Sequence, residues 1–195
     1  MTITAESIKD LREQTGAGVM DVKEALQEAN GDRDKAIELL RKKGMKTAEK
    51  KADRTAKEGW IGWYVHATGK IAALVVVNCE TDFVARNSEF QALAKDIAMQ
   101  VAALAPEYIT PNDVPEDVKE REKDVYRAQL AKEGKSEAIM EKILEGKLQK
   151  FYSDVCLVKQ PFFKDDKLTI EDLINQAVAK LGEKIEVTQM TRLVV

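Results

Sequence analysis

Metal and disulfide chemistry have little material to work with in this sequence, where one histidine, His66, and two cysteines, Cys79 and Cys156, stand among 195 residues. The cysteines form no CxxC pair and are too few for a thiolate cage or a disulfide framework, and a lone histidine does not make a zinc site. No run approaches the roughly 18 apolar residues that a membrane span needs. The opening residues "MTITAESIKDLREQ" hold no apolar stretch of the kind a secretion leader carries, so a cytoplasmic location is expected. Neither sign of charge is in large excess. With 31 basic and 34 acidic residues the net charge is -3, which gives no global attraction to nucleic acid and leaves room only for a local basic patch.

What is present suits one compact domain, or a core of about 140 residues with a small appendage. From Ser7 to Gly44 the signals are helical and closely punctuated. Val19, Val22, Leu26 and Ala29 share helical spacing, the pattern breaks at Asn30 and Gly31, and it resumes at Ile37 and Leu40 with Asp32 placed to cap. Three short helices of this size have little core of their own. In "GAGVM" the apolar Val19 and Met20 either complete that small core or stay exposed as a sticky surface. The next stretch, "RKKGMKTAEKKADRTAK", is strongly basic, rich in helix formers and free of proline, and reads as a helical connector.

At Gly59 the period changes. "GWIGWYVHATGKIAALVVVNCE" reads as strand, turn at Thr68 and Gly69, and strand: an antiparallel hairpin. In "SEFQALAKDIAMQVAALAP", Phe90, Leu93, Ile97, Val101 and Leu104 recur at helical spacing, Asn87 or Ser88 can cap, and Pro106 stops the helix. So apolar a helix is expected to lie on the sheet. Two charged amphipathic helices separated by "AKEGK" follow. A helix capped by Thr169 and ended by Gly182 comes next, and then a final strand. The fold class expected is α+β: an N-terminal three-helix module, a helical connector, and a core with a small antiparallel sheet packed by helices.

A search for catalytic chemistry finds little. "GAG" at Gly16 to Gly18 follows a helix and lacks the third glycine or lysine of a nucleotide loop. The best nucleophile pair would join Cys79 to His66 on adjacent strands, oriented by Glu80 or Asp82. Against it, a cysteine ending a buried apolar strand behaves as a small, inert hydrophobe. No enzyme, cofactor or metal is expected. Asp82 and Phe83, in "NCETDFVARNSEF", are different: between the hairpin and the long helix, Phe83 is either a solvent-facing aromatic beside a charge, good for gripping a protein, or core folded back under the helix.

Four segments in order, "LREQTGAGVMDVKEAL", "NCETDFVARNSEF", "IAMQVAA" and "EGKLQKFYSDVCLVKQPF", together resemble the translation elongation factor Ts family, over nearly the whole chain. The resemblance implies a non-enzymatic guanine-nucleotide exchange factor that binds elongation factor Tu and promotes GDP release by disturbing its magnesium and phosphate site. It implies residues 1–54 as a three-helix module similar to a ubiquitin-associated domain with the start of the basic connector, and 55–195 as an α+β core of the dimerisation type. The length is similar to the family's short form, for which a homodimer is expected, with neither a membrane nor direct nucleic-acid contact.

Carried over position by position, Thr81, Asp82, Phe83 and Val84 would disturb the partner's magnesium and phosphate site, with Asp82 and Phe83 as the intruding pair. Arg12, Gly16, Gly18, Val19 and Met20 would form the module's docking face. His66 is similar to the family's histidine near the nucleotide pocket, although "HATGK" departs from the "HG" style of that turn. A histidine partly covered at a strand end is the ordinary reading beside it. Two other functions fit the residues: an adaptor that holds proteins with the helical module, and an RNA-associated protein that uses the basic segment 41–57, whose binding would fall steeply with salt.

Overall fold

The computed structural model describes residues 3–131 and 137–195. At the N-terminus, α1 (Ala5–Thr15), α2 (Val19–Glu28) and α3 (Arg33–Glu49) form the expected three-helix unit. Local chemistry sets its boundaries. Thr4 and Ser7 make a reciprocal cap at the start of α1, Gly16 closes that helix in the left-handed conformation, and Asp32 caps α3 by accepting the Lys35 N–H. Leu11, Val22, Ala25, Leu26, Ala29 and Ala36 fill the interior, a small core of mostly small side chains.

The basic connector is corrected in its extent. Its first half is not a separate segment, because α3 runs on to Glu49 with no proline or capping residue to stop it, while residues 50–57 leave the helix in turns. Extended α3 then packs along α8 (Ile170–Leu181), so the module leans on the rest of the chain. Gly44 is buried at that crossing, close to the backbone of Asn175.

The hairpin is β1 (Glu58–Val65) and β2 (Ile71–Cys79), paired from Glu58↔Cys79 to Val65↔Ala72. The terminal β5 (Glu186–Val194) adds antiparallel to β2, giving the order β1-β2-β5 with β2 central. Alternation puts Ala73, Val75, Val77 and Cys79 on the inner face, where α5 (Ser88–Leu104) covers them with Phe90, Leu93, Ile97 and Val101. Gly62 on β1 permits this contact, since a β-carbon there would run into the backbone of Ala94. Leu104, expected on the buried stripe, is instead exposed, because the helix overshoots the sheet at its last turn.

Beyond α5, α6 (Glu116–Ala131) and α7 (Glu137–Val155) pack on each other. The break expected at "AKEGK" lies, after Ala131, outside the described residues. A second sheet, β3 (Pro161–Phe162) and β4 (Asp165–Thr169), was not legible in the sequence, because β3 has only two residues and β4, with the sequence DDKLT, carries no apolar alternation. It is tied to α5 by buried Gln100, which donates to the Pro161 carbonyl at 3.0 Å and accepts the Phe163 N–H at 3.0 Å.

Candidate functional site

The segment after β2 is a single helical turn, α4 (Asp82–Ala85), rather than an irregular loop. Thr81 caps it, its hydroxyl accepting the Val84 N–H at 3.3 Å. In so short a helix adjacent side chains diverge sharply. Val84 and Ala85 turn into the core at 6% and 5% exposure, whereas Phe83 stands 82% exposed. The two readings of Phe83 are thereby decided in favour of a solvent-facing aromatic. Val84, expected among the contact residues, is buried in the free chain and packs α4 against the body. Asp82 lies beside Phe83 with its carboxylate 3.0 Å from the Arg86 guanidinium, an exposed pair one turn apart.

The base of this turn is held by a segment from the far end of the chain. Glu183 accepts the Glu80 and Thr81 N–H groups at 3.0 Å each and the Thr81 hydroxyl at 2.6 Å. In return Glu80 accepts the Lys184 N–H at 2.6 Å and pairs with Arg54 at 3.3 Å. The Lys184 amide, opposed by desolvation and helped by Arg54, holds the Glu80 carboxyl below its ordinary pKa. Lys51 completes the arrangement by donating to the Gly182 carbonyl at 2.6 Å.

The N-terminal unit reaches the same end of the molecule. Gly16, in the left-handed conformation, lies against Lys180 of α8, and Lys180 pairs at 2.7 Å with Glu89 in the first turn of α5. Gly18 caps α2, and Val19 and Met20, the first two residues of that helix, are 52% and 64% exposed. Val19 therefore belongs to the surface and not to the small core. Arg12 is exposed on α1, while its neighbour Leu11 is buried.

His66 does not join them. It follows β1 at the hairpin turn, exposed, with Nδ1 3.1 Å from the Tyr64 hydroxyl. The strand register puts Cys79 and α4 at the opposite end of the hairpin, Cys79 pairing with Glu58, about 26 Å from His66 at ~3.3 Å per residue. The Cys79–His66 dyad is ruled out by the same register. Cys79 is fully buried, and burial, with the Glu183 charge adding to it, pushes its thiol up to about 11, so it is neither accessible nor ionised at neutral pH. Among the described residues no group of three or more His, Cys, Asp or Glu is arranged to hold a metal ion, and no helix is long and apolar enough to cross a membrane.

Sequence reasoning missed Glu183 and Arg54, and treated Glu80 only as the orienting acid of a dyad. Nothing local marks them, because each acts on backbone or charge far away in the chain.

A family model described as "Elongation factor TS" matches residues 3–195. The chain belongs to the elongation factor Ts family. It is 53% identical over 192 residues to the elongation factor Ts of Geobacter metallireducens, covering 98% of this chain and 89% of that one. It is 54% identical over 193 residues to that of Fervidobacterium nodosum, covering 99% and 98%. The elongation factor Ts of Thermotoga sp. strain RQ2 is 55% identical over 192 residues, covering 98% and 96%. The chain thus matches elongation factor Ts proteins over nearly their whole length, which places it among translation elongation factors.

Proposed function

We propose that this protein is a guanine-nucleotide exchange factor for elongation factor Tu, working without covalent chemistry in the cytoplasm. The observation that carries the reading is the 82% exposure of Phe83 on a capped, body-anchored helical turn. A large aromatic left in water on a rigid support is a binding element in waiting. Residues 1–54 supply the docking module, through Arg12, Val19, Met20 and the Gly16–Gly18 turn, and residues 55–195 carry Asp82 and Phe83. Both parts lie toward the C-terminal end of α8, so one partner can meet them together.

A GTPase holds GDP through backbone amides around the phosphates and a bridging magnesium ion, so displacing one supporting element loosens the whole grip. Burial of an aromatic hot spot supplies ~2–4 kcal/mol, and each ~1.4 kcal/mol is a factor of ten in affinity. Linkage requires that nucleotide weaken binding of the exchange factor by the factor that the exchange factor weakens nucleotide. The complex therefore comes apart again when a nucleotide rebinds.

The homodimer belongs to the same reading. Among the described residues no helix covers the outer face of the three-stranded sheet, which presents Ile61, Trp63, Val65, Leu74 and Leu193, all exposed. A patch of this kind is larger than isolated exposed residues would explain, and a second copy related by a two-fold axis would cover it with the same residues.

The test is stopped-flow release of a fluorescent GDP from elongation factor Tu, chased with unlabelled GDP, with and without the protein and its Phe83→Ala variant. Strong acceleration that the substitution removes is the expected result. Because Phe83 touches little of its own chain, the variant keeps its stability to within about 0.5 kcal/mol. An unchanged release rate with the native protein would sink the exchange reading.

A further inference from the structure

We propose that Glu183 is a positioning residue for nucleotide exchange: it fixes the turn that carries Phe83 and thereby sets how forcefully that side chain can act. The inference rests on the exchange reading above and adds to it a residue that acts through the turn it holds.

An intruding aromatic does work only if its base does not yield. The base here is a four-residue helix, far below the ~12–15 residues at which a helix begins to stand by itself. Its rigidity must come from outside. Two devices provide it: Val84 and Ala85, buried beneath the turn, and the carboxylate of Glu183 above its N-terminal side. The apolar pair resists withdrawal of the turn from the body but leaves it free to rock. Glu183 removes that freedom, because its two oxygens hold three donors on two consecutive residues, the Glu80 and Thr81 amides and the Thr81 hydroxyl.

The Thr81 hydroxyl couples the two. Its proton goes to Glu183 Oε1, which leaves its oxygen aimed at the Val84 N–H as the helix cap. Without Glu183, the hydroxyl loses the partner that selects its rotamer, and the cap and two amides turn to solvent. Charge-assisted bonds of this type are stronger than neutral ones, so a carboxylate suits the position better than an amide. Glutamine could still accept the two amides through its one oxygen, but its NH2 group would face the Thr81 hydroxyl and deprive that proton of an acceptor. The reverse bond, from the Lys184 amide to Glu80, holds Glu183 in place from behind.

The experiment measures fluorescent GDP release against factor concentration, giving a plateau rate and a half-saturating concentration, for the native protein, Glu183→Ala, Glu183→Gln, Phe83→Ala and the double variant Glu183→Ala/Phe83→Ala. Hydrogen exchange of each free protein reports the amides of residues 80 and 81. A positioning role predicts that Glu183→Ala lowers the plateau by about tenfold while half-saturation changes by less than about threefold, because the docking module is untouched. Glu183→Gln should fall between Ala and native, and Glu183→Ala should cost nothing further once Phe83 is gone. In the free protein, faster exchange should be confined to residues 80–84, with α5 and β2 unchanged.

A native plateau in Glu183→Ala overturns the proposal, as does a loss that adds in full to that of Phe83→Ala. If Glu183→Ala fails to fold, Glu183→Gln carries the test, and a plateau equal to the native one overturns it. Failure of the underlying reading looks different: Phe83→Ala itself would then exchange at the native rate, and the role given to Glu183 would fall with it.

Discussion

Where α3 of the N-terminal unit packs along α8, one carboxylate joins the two helices. Asp172, 5% exposed, accepts Arg41 Nε at 2.6 Å and a second guanidinium N–H, and also accepts the Thr169 N–H at 2.9 Å and the Thr169 hydroxyl at 2.6 Å. It thus completes the cap of α8 and grips α3 at once. Asp172→Asn keeps the shape but sets an NH2 group against Arg41 or against the donors of Thr169. Bonds to charged groups are worth about 1.5–3 kcal/mol each. Arg41 keeps 40% of its side chain in solvent, which screens its share, so the expected loss is about 2–3 kcal/mol in all. A double-mutant cycle with Arg41→Met, followed by urea denaturation at neutral pH, should give a coupling of about 1–3 kcal/mol. A coupling below about 0.5 kcal/mol would refute the reasoning, since the pair would then be an ordinary surface contact.

The same carboxylate has a pH signature. Burial pushes its pKa up, but the bonds from Arg41 and Thr169 outweigh burial and hold it below the ordinary aspartate value. As pH falls, the unfolded chain therefore takes the proton first, near pH ~4. The contribution is present in full above that value and is lost as pH drops through the folded pKa. The Asp172→Asn protein should show a correspondingly shallower loss of urea midpoint between neutral and acidic pH.

Three further outcomes are expected. Gly62→Ala forces a β-carbon against the Ala94 backbone and should cost about 1–3 kcal/mol in a thermal melt, with α5 lifted from β1. Cys79, buried and with its thiol pushed up to about 11, should resist a thiol reagent at pH 8 in the native protein and react promptly in denaturant. Trp63→Glu places a charge in the exposed outer face of the sheet, and on the proposed dimer it should shift light-scattering mass to that of one chain without unfolding it.

Much of the fold was legible because its punctuation is local. Thr169 and Gly182 bracket α8, Asn87 starts α5, and the period change at Gly59 announces the hairpin. Where a local stop was missing, the boundaries moved: nothing after Arg41 ends α3, so half of the expected connector became its last turns. The site was legible only in part. The pair Asp82–Phe83 stood out as residue types, but whether Phe83 faced water depended on α4 being one helical turn, which buries Val84 and Ala85 and leaves Phe83 outside. The burial of Val84 was hidden for the same reason. Val19 could not be decided either, since a helix start beside a small core can point either way until the other two helices are in place.

The sequence by itself determined the longer helices and strands, their order and the family, because caps, periods and extended matching segments are carried by residues close together in the chain. Only the tertiary structure decided what holds them. Asp172 meets Arg41 across 131 residues, and Glu183 meets Thr81 across 102. Contacts of that separation leave no periodic trace, since closing so long a loop costs little more than closing a shorter one and any acid at the right place can do it. His66 and Phe83, close in sequence, were parted for the opposite reason: an antiparallel hairpin sends its turn and its ends to opposite edges of the sheet.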